Sequence, residues 1–388
     1  MTPGARVAAA IEVLDRIAGG TSAEQALTAW ARASRFAGSG DRAAIRDHVY
    51  GVLRRRRSAG WVGGGESGRA LMIGALALDG EDVVALFSGE GHAPPPPRAG
   101  EWPRDPAGMP SEARRDMPDW IARQMRADLG PERAEAAMAA LRARAPVFLR
   151  VNLARTDRDG AVAALAEEGI RTTPHPHVET ALIVEAGARR IRQAAAYLDG
   201  RVELQDAHSQ AAVMELPLAP GDRVLDFCAG GGGKSLAIAA RGVGDITAHD
   251  AAPRRMRDIG PRAARSGAPI KVVRASDALP RRAFDLVLAD APCSGSGTWR
   301  RDPEGKWALT PARFDALTAT QVAILMDAAG FVRPGGHLAY MTCSILRPEN
   351  EGPVESVVAR LGGAELVMQR SWLPSEAGDG FHLSVIRI

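Results

Sequence analysis

From Gly221 to the end of the chain, short apolar segments that predict β-strands alternate with segments that predict helices, and only short loops separate them. The predicted strands are Arg223–Phe227, Asp245–His249, Ile270–Val273, Leu286–Ala289 and His337–Met341, with two more near residues 365–369 and 382–387. This alternation is typical of an α/β sheet with mostly parallel strands. The C-terminal part is therefore predicted to form a doubly wound, Rossmann-like domain.

The first half of the chain has a different organisation. Residues 1–90 carry apolar side chains at helical spacing, and a stretch rich in Pro and Gly follows, with four consecutive prolines at 94–97. Residues 118–144 are predicted helical, and a β-α-β-α order from 147 to 198 suits a small ferredoxin-like module. We therefore predict a helical domain at 1–90, a linker at 91–117, a helical connector with the ferredoxin-like module at 118–205, and the α/β domain at 206–388.

Composition narrows the class of protein. Of the 388 residues, 46% are hydrophobic and 24% charged, which is ordinary globular composition. The chain has no apolar run long enough to cross a bilayer and no signal-peptide pattern. Three cysteines without framework spacing favour a reducing cytoplasm, and the absence of a Cys/His cluster predicts that no metal is bound. We expect a cytoplasmic protein and take a monomer as the default.

Positive charge is concentrated at the N-terminus. The net charge is +3, but residues 1–60 contain ten arginines against five acidic residues, and four of these arginines are consecutive at 54–57. Such a run is either a solvated helix end or a patch that contacts phosphates, since the guanidinium fork matches phosphate oxygens.

A glycine-rich segment, which we call the glycine loop (residues 228–234), follows the first predicted α/β strand and precedes a helix. Glycines allow close backbone approach to a ligand, and the helix N-terminus attracts negative charge. Asp250 and Asp277 follow the next two strands, where acids can reach the ribose and the base of an adenosine cofactor. A P-loop is the rival interpretation, but its first glycine would fall at Cys228.

Two cysteines lie at the predicted ends of strands. Cys293 follows Asp290 in a segment that ends Ser-Gly-Ser-Gly, and Cys343 lies in Thr-Cys-Ser. A thiolate can add to carbon 6 of a cytosine, which lets carbon 5 attack a sulfonium methyl group, while an acid supports the ring nitrogen and a second group assists release. These three residues supply what that chemistry requires. The third cysteine, Cys228, fits an inert packing role within the loop strand.

Several segments together resemble the NOL/NOP/Sun family of RNA (cytosine-5)-methyltransferases. They are residues 149–152, 206–210, 225–234, 290–307, 342–351 and 379–381, so the resemblance covers essentially residues 110–388. It implies the seven-stranded methyltransferase variant of the doubly wound fold, S-adenosyl-L-methionine as cofactor and RNA as substrate. The site residues that it implies are Cys343 as nucleophile, Cys293 as the group that assists release, Asp290 at the ring edge, and, around the cofactor, Cys228, Ala229, Gly230, Gly231, Gly232, Gly233, Lys234, Asp250, Asp277 and Asp290. Lys234 would lie between cofactor and target base.

The N-terminal region resembles the NusB-like domain of the bacterial Sun/Fmu (RsmB-like) members, which act on 16S ribosomal RNA. In the glycine loop the chain departs from the family, because Gly231 replaces the usual proline and Ser235 the usual threonine. The first change predicts a more mobile loop. Two alternatives stay open: a transfer-RNA cytosine-5 methyltransferase, and a non-catalytic RNA-binding factor of ribosome assembly.

Overall fold

The computed structural model describes residues 1–274 and 277–388, and these residues form two compact units. Unit 1 consists of Met1–Arg144 together with Trp299–Ala308, and unit 2 of Ala145–Thr298 together with Leu309–Ile388. The chain therefore leaves unit 2 for ten residues immediately after the Cys293 segment and then returns. Within the described ranges, no helix is both long and apolar enough to span a membrane.

Unit 1 is helical. Its helices are α1 Pro3–Ala18, α2 Ala23–Ala33, α3 Ser39–Arg54, α4 Arg56–Gly63, α5 Gly68–Leu78, α6 Val83–Leu86, α7 Ser111–Arg114, α8 Asp119–Leu129, α9 Pro131–Arg142 and, from the later segment, α15 Pro303–Ala308. Apolar faces of α1 to α6 enclose one core, in which Val7, Ile45 and Phe87 are fully buried. The apolar side chains at helical spacing thus form the buried faces of amphipathic helices, as the sequence predicts.

Helices α4 and α5 approach each other through glycines. A Cβ atom added at Gly74 would lie 1.9 Å from the carbonyl oxygen of Ala59, and one added at Gly63 would lie 1.8 Å from that of Ala70. Both neighbours are backbone atoms, which a rotamer change cannot move aside. The crossing of α4 and α5 therefore depends on the two glycines.

We expect Gly74→Ala to lower the free energy of unfolding by about 1–3 kcal/mol or more, the range for overpacking a tight contact. Helix propensity alone predicts the opposite sign, because alanine is favoured over glycine by about 1 kcal/mol. Gly40→Ala is the matched control, since its Cβ atom would meet nothing within 4 Å. In denaturant titrations, a Gly74→Ala midpoint at or above that of the wild type would contradict the packing account.

The segment 299–308 is anchored in unit 1 by buried polar contacts. Lys306 is fully buried, and its Nζ donates to the carbonyl oxygens of Arg54 at 2.9 Å and Asp116 at 2.7 Å. The indole nitrogen of Trp307 donates to the carbonyl of Leu53 at 2.7 Å. The carboxylate of Glu304 accepts from the backbone N–H of Ala23 at the start of α2. Lys306 and Trp307, which the sequence places in the family-like segment, thus have structural partners within unit 1.

The arginine run at 54–57 is engaged in contacts of the same unit. Arg54 donates through Nε to the carbonyl of Arg300 at 2.6 Å. The other three arginines form ion pairs, which are Arg55–Asp79, Arg56–Glu66 and Arg57–Asp119. Of the two interpretations of this run, the contacts favour a helix end that stabilises unit 1 over a patch that is open to phosphates.

Unit 2 contains two sheets. The smaller has the order β2-β3-β1-β4, with all neighbours antiparallel, and is built from β1 Val147–Val151, α10 Arg158–Glu167, β2 Arg171–Pro174, β3 Ala181–Ala186, α11 Ala195–Leu198 and β4 Val202–Leu204. This order is the ferredoxin-like arrangement that the sequence predicts. Strands β2 and β4 are additions to the prediction, and the first half of the predicted helix at 189–198 is instead part of a 3₁₀ helix, Ala188–Gln193.

The larger sheet has the order β10-β11-β9-β8-β5-β6-β7. The strands are β5 Arg223–Asp226, β6 Asp245–Ala248, β7 Ile270–Val272, β8 Phe284–Asp290, β9 Val332–Thr342, β10 Glu365–Trp372 and β11 Phe381–Arg387, and the helices are α12 Ala207–Met214, α13 Gly233–Ala239, α14 Ile259–Ser266, α16 Pro311–Ala329 and α17 Glu351–Arg360. Strands β5 to β9 are parallel, while β11 is antiparallel to both neighbours. All seven predicted strands are present, and the predicted fold class is confirmed.

The parallel order determines where the site lies. Because β5, β6, β8 and β9 run in the same direction, the loops that follow them leave the sheet at one edge. In open α/β sheets this carboxyl edge is where ligands bind. The glycine loop follows β5, the Cys293 segment follows β8, and Cys343 follows β9.

Candidate active site

The two cysteines meet at the carboxyl edge of the large sheet. Strands β8 and β9 are adjacent and pair Asp290 with Met341, so the chain positions just beyond them are also close. The Sγ atoms of Cys293 and Cys343 are 3.4 Å apart, within hydrogen-bond distance for sulfur, and both side chains are partly exposed. A substrate atom can therefore reach a pair of thiols that share a hydrogen bond.

The environment gives the two thiols opposite acidities. The hydrogen bond from Cys293 lowers the pKa of Cys343 and outweighs burial and the charge of Asp290, which raise it, while the positive charge of Lys234 lowers it further. The bond to Cys343, burial and the nearby carboxylate of Glu349 raise the pKa of Cys293 well above its ordinary value. The pair therefore favours a Cys343 thiolate that accepts a hydrogen bond from a Cys293 thiol, and the thiolate is the nucleophilic form.

A fully buried carboxylate, Glu349, connects the loops that carry the two cysteines. It accepts from the backbone N–H of Ser294 at 2.7 Å and from the hydroxyls of Ser294 and Ser344 at 2.5 and 2.6 Å. Buried Gln321 donates to it at 3.1 Å and to the carbonyl of Pro292 at 3.0 Å. Since Ser294 follows Cys293 and Ser344 follows Cys343, one carboxylate holds both flanks of the thiol pair.

Backbone contacts bring a third segment to the same place. The N–H of Gly297 donates to the carbonyl of Cys343 at 2.9 Å, and the N–H of Gly380 donates to the carbonyl of Gly297 at 2.9 Å. A Cβ atom at Gly297 would lie 2.3 Å from the carbonyl oxygen of Gly380. The loop after Cys293 is thereby packed between the Cys343 segment and the residues that precede β11.

Lys234 and Asp290 form an ion pair beside the thiols. The Lys234 Nζ lies 2.5 Å from Asp290 Oδ2 and 5.1 Å from the ring centroid of Phe381. Burial alone would lower the pKa of Lys234, but the carboxylates of Asp290 and Asp226 outweigh it and raise that pKa. Lys234 is thus held as a cation that is close enough to stabilise an anionic Cys343.

The glycine loop has the geometry of a ligand cradle. Gly232 has a φ of +77°, and a Cβ atom there would lie 2.9 Å from the Ile259 side chain, so the turn into α13 requires glycine. Three side chains form hydrogen bonds with the loop backbone. Asp250 accepts from the N–H of Gly230. Arg262 donates to the carbonyl of Gly231, and Arg150 donates to the carbonyl of Gly233. These contacts restrain a loop that the loss of proline at 231 was expected to make mobile.

Acidic residues follow or end the strands around this loop. Asp226 is buried, accepts from the Ser235 hydroxyl at 2.6 Å and has its pKa raised to about 7 by burial, with Asp290 adding to the effect. The Oδ1 atom of Asp226 has no hydrogen-bond partner among the described residues. Asp250 is also buried and accepts from the N–H groups of Gly230 and Ala252 at 2.9 and 2.8 Å. Asp277 is exposed and accepts from the N–H of Arg274.

Cys228 differs from the other two cysteines. Burial, with the charges of Asp226, Asp290 and Asp250, raises the pKa of its thiol to about 12. It packs against the core cluster that includes Phe227 and Phe331. A thiol that stays protonated in an apolar contact agrees with the packing role predicted for it.

The structure brings together Cys293, Cys343, Asp290 and Lys234, which were predicted from three separate segments. Sequence reasoning missed Glu349, Gln321 and the two serines, although Glu349 lies within the family-like segment 342–351. It also gave no role to His208, whose Nδ1 atom hydrogen-bonds the carbonyl of Asp379 at 2.6 Å, two residues before Phe381. A buried hydrogen-bond network has no sequence period, so only the Pro-Glu-Asn-Glu motif itself could have pointed to Glu349.

The sequence of this chain matches a known protein family. Residues 213–384 match the family model described as 16S rRNA methyltransferase RsmB/F, and residues 117–189 match the ferredoxin-like domain of RsmF/B-like methyltransferases. Ribosomal RNA small subunit methyltransferase B of Xanthomonas campestris is 37% identical over 272 residues, which are 68% of this chain and 62% of that protein. The Vibrio cholerae protein of the same name is 32% identical over 302 residues, 73% of this chain and 69% of that protein. The chain thus spans about two thirds of the length of these relatives.

Among solved structures, the crystal structure of PH0851 superposes with a TM-score of 0.78. The match covers 100% of this chain and 99% of that one at 20% sequence identity. At this identity the likeness concerns the fold, and it agrees with the helical, ferredoxin-like and Rossmann-like parts described above.

Proposed function

The chain belongs to the RsmB/F family of 16S rRNA methyltransferases, and from this premise we propose that it transfers a methyl group from S-adenosyl-L-methionine to carbon 5 of a cytosine in ribosomal RNA. The observation that carries the proposal is the 3.4 Å Sγ–Sγ pair of Cys293 and Cys343 beside Asp290. A methyltransferase that acts on a more nucleophilic atom has no need of a thiol, whereas cytosine carbon 5 must first be activated. Two thiols beside an acid suit that activation and its reversal.

In the proposed reaction the Cys343 thiolate adds to carbon 6 of the cytosine. Carbon 5 then bonds to the sulfonium methyl carbon, the carbon–sulfur bond of the donor breaks, and the donor leaves as a neutral thioether. Cys293, after giving its own proton to water, accepts the carbon-5 proton, and cleavage of the Cys343–carbon-6 bond then restores the ring double bond and the thiolate. Cys293 assists this release, and Asp290 holds the ring edge through the adjacent nitrogen as charge develops.

The residues around the glycine loop fit the methyl donor. Residues 228–234 offer the backbone cradle, Asp250 retains lone pairs for ribose hydroxyls because a carboxylate has about four acceptor sites, and exposed Asp277 can reach the base. S-adenosylmethionine supplies an electrophilic methyl group when bound. Lys234, the last residue of this loop and the partner of Asp290, would lie between the cofactor and the target base.

The target cytosine must leave its base stack to reach Cys343, so unpaired or loop RNA is the expected substrate. The helical N-terminal domain and the ferredoxin-like module would position the RNA backbone. A transfer-RNA substrate and a non-catalytic role in ribosome assembly are the competing functions. Retention of both cysteines, Asp290 and Lys234 supports catalysis, since a binding module has no use for thiols at this place.

Product analysis tests the proposal. Purified protein, S-adenosylmethionine carrying a labelled methyl group and either 16S rRNA or bulk transfer RNA would be incubated, and the RNA digested to nucleosides. We expect labelled 5-methylcytidine from 16S rRNA, and bisulfite sequencing with and without the gene to locate it. Label in another nucleoside would refute the cytosine-5 assignment. Label only in transfer RNA would show that transfer RNA, and not ribosomal RNA, is the substrate. RNA binding without any label would favour a non-catalytic role in ribosome assembly.

A further inference from the structure

Helices α2 and α3 of unit 1 enclose a cleft that is lined by arginines. Its volume is about 600 Å³, and Arg32, Arg35, Arg42 and Arg46 project into its lining. All four side chains are at least partly exposed, and the floor between them is apolar, with Trp30 among the buried residues that form it. The cleft thus combines four positive charges with an apolar base.

Among the described residues these four arginines have no acidic partner, whereas Arg55, Arg56 and Arg57 each have one. In the part of the chain that the structure describes, no ion pair involves any of the four. The two acidic residues of α3 are directed elsewhere, since Asp41 pairs with Arg6 and with the N-terminal amine, and Asp47 pairs with Arg144. Four like charges around one cleft repel each other, and a polyanion would relieve that repulsion.

An exposed aromatic side chain is the sequence neighbour of Arg35, one of the residues that line the cleft. Phe36 follows Arg35 in the short loop between α2 and α3 and is 77% exposed, the most exposed of the large hydrophobic side chains among the described residues. An exposed ring in water offers a face on which an unpaired base can stack. Guanidinium groups match phosphate oxygens in pairs of hydrogen bonds. An acidic peptide would use the charges but would leave the ring without a planar partner.

We propose that this α2–α3 cleft binds the phosphate backbone of a single-stranded segment of the substrate RNA, with Phe36 stacked on one of its bases. The inference rests on the proposed function, because it takes RNA as the substrate. It assigns RNA contact to side chains of two helices and of the loop between them, and it removes that role from the consecutive arginines 54–57. The cleft contributes to substrate affinity and leaves the chemical step unchanged.

The test compares two double variants of equal charge in the full-length protein. Arg32→Gln/Arg42→Gln alters the cleft, and Arg123→Gln/Arg133→Gln alters exposed arginines of α8 and α9. Binding of fluorescently labelled 16S rRNA would be measured over a range of salt concentrations. We expect the cleft variant to bind several-fold more weakly, and the slope of log K against log salt to fall by about 0.7 for each single-strand phosphate that the variant no longer neutralises. Phe36→Ser should weaken binding while leaving that slope unchanged.

Methyl transfer separates failure of this proposal from failure of the proposed function. The cleft variant should show a higher KM for RNA and an unchanged kcat, while the α8–α9 variant keeps both values. Equal losses of affinity in the two double variants, or wild-type affinity in the cleft variant, would refute RNA binding by the cleft. Methylation of RNA by the wild type would still support the proposed function. Competition by poly-glutamate as effective as that by RNA would assign the cleft to an acidic protein instead.

Discussion

The Cys293→Ala variant is expected to accumulate a covalent protein–RNA adduct that survives denaturing electrophoresis, whereas Cys343→Ala is expected to form none. The reason lies in the order of the chemical steps. Without the Cys343 sulfur no bond to carbon 6 can form, so methyl transfer should fall by a factor on the order of 10⁶, the scale for removal of a covalent nucleophile. Without Cys293 the bond still forms, but the group that assists its cleavage is missing.

The acidities of the two thiols support this assignment of roles. The pKa of Cys343 is lowered by the bond from Cys293, and that of Cys293 is raised by the same bond. Loss of Cys293 removes that hydrogen bond, so the pKa of Cys343 should rise and adduct formation should be slower at neutral pH than at higher pH. The adduct should still accumulate, because its decay is slowed more than its formation.

Electrophoresis of labelled RNA with each purified variant provides the measurement. The double variant Cys293→Ala/Cys343→Ala should form no adduct, which shows that Cys343 is the attacking group. Cys228→Ala controls for thiol content: it should accumulate no adduct, because both Cys343 and Cys293 are retained. An adduct in Cys343→Ala and none in Cys293→Ala would reverse the two roles, and full activity of Cys343→Ala would refute the covalent mechanism.

The sequence predicts those structural features that have a periodic pattern of apolar residues, and it does not predict those that depend on tertiary contacts. The seven strands of the large sheet were predicted because each contains apolar residues between turn residues, and in β8 the run from Leu286 to Ala289 is fully buried. Strand β2 was missed because Arg-Thr-Thr-Pro has neither apolar content nor alternation, and it exists only through pairing with β3. Tertiary pairing overrides weak local propensity in such short strands.

The same distinction applies to the functional residues, because those in recognisable motifs were predicted and those gathered by helix packing were not. Cys293, Cys343 and Asp290 follow strands in recognisable motifs, so their approach to one sheet edge could be expected from parallel topology. The run at 54–57 looked like a phosphate contact because charge density is visible in sequence, but its partners, such as Asp79 and Asp119, come from other helices. Conversely, the four cleft arginines are spaced over fifteen residues and become a cluster only when α2 packs against α3.

Replacement of Glu349 should have a larger effect than any other change outside the groups that touch the substrate. In Glu349→Ala, four donors on Ser294, Ser344 and Gln321 lose their acceptor. Each buried donor left without a partner costs about 1–3 kcal/mol of folding free energy. Displacement of either cysteine by about 1 Å is also enough to reduce kcat by roughly 100-fold. We therefore expect lower stability and a large loss of kcat.

Glu349→Gln separates positioning from charge. The amide keeps one acceptor oxygen, and the hydroxyls of Ser294 and Ser344 can rotate to accept from its NH₂ group, so kcat should fall less than in Glu349→Ala. Removal of the negative charge has a second consequence, because that charge helps raise the pKa of Cys293. The pKa of Cys293 should therefore fall, and the limb of the kcat–pH profile that reports its deprotonation should move to lower pH.

The matched control is Glu355→Gln, which changes an exposed carboxylate of α17 that pairs with exposed Arg347. It should leave kcat, the pH profile and stability unchanged, since exposed pairs contribute about 0–1 kcal/mol. A general loss of folding would lower kcat at all pH values without moving the limb, so a shifted limb in Glu349→Gln identifies an electrostatic effect on Cys293. Wild-type kcat in Glu349→Ala would show that the two cysteine loops keep their geometry without this carboxylate. We expect a fall in kcat for Glu349→Ala and a limb at lower pH in the kcat–pH profile of Glu349→Gln. Together these results require that Glu349 both positions the thiol pair and keeps the pKa of Cys293 high.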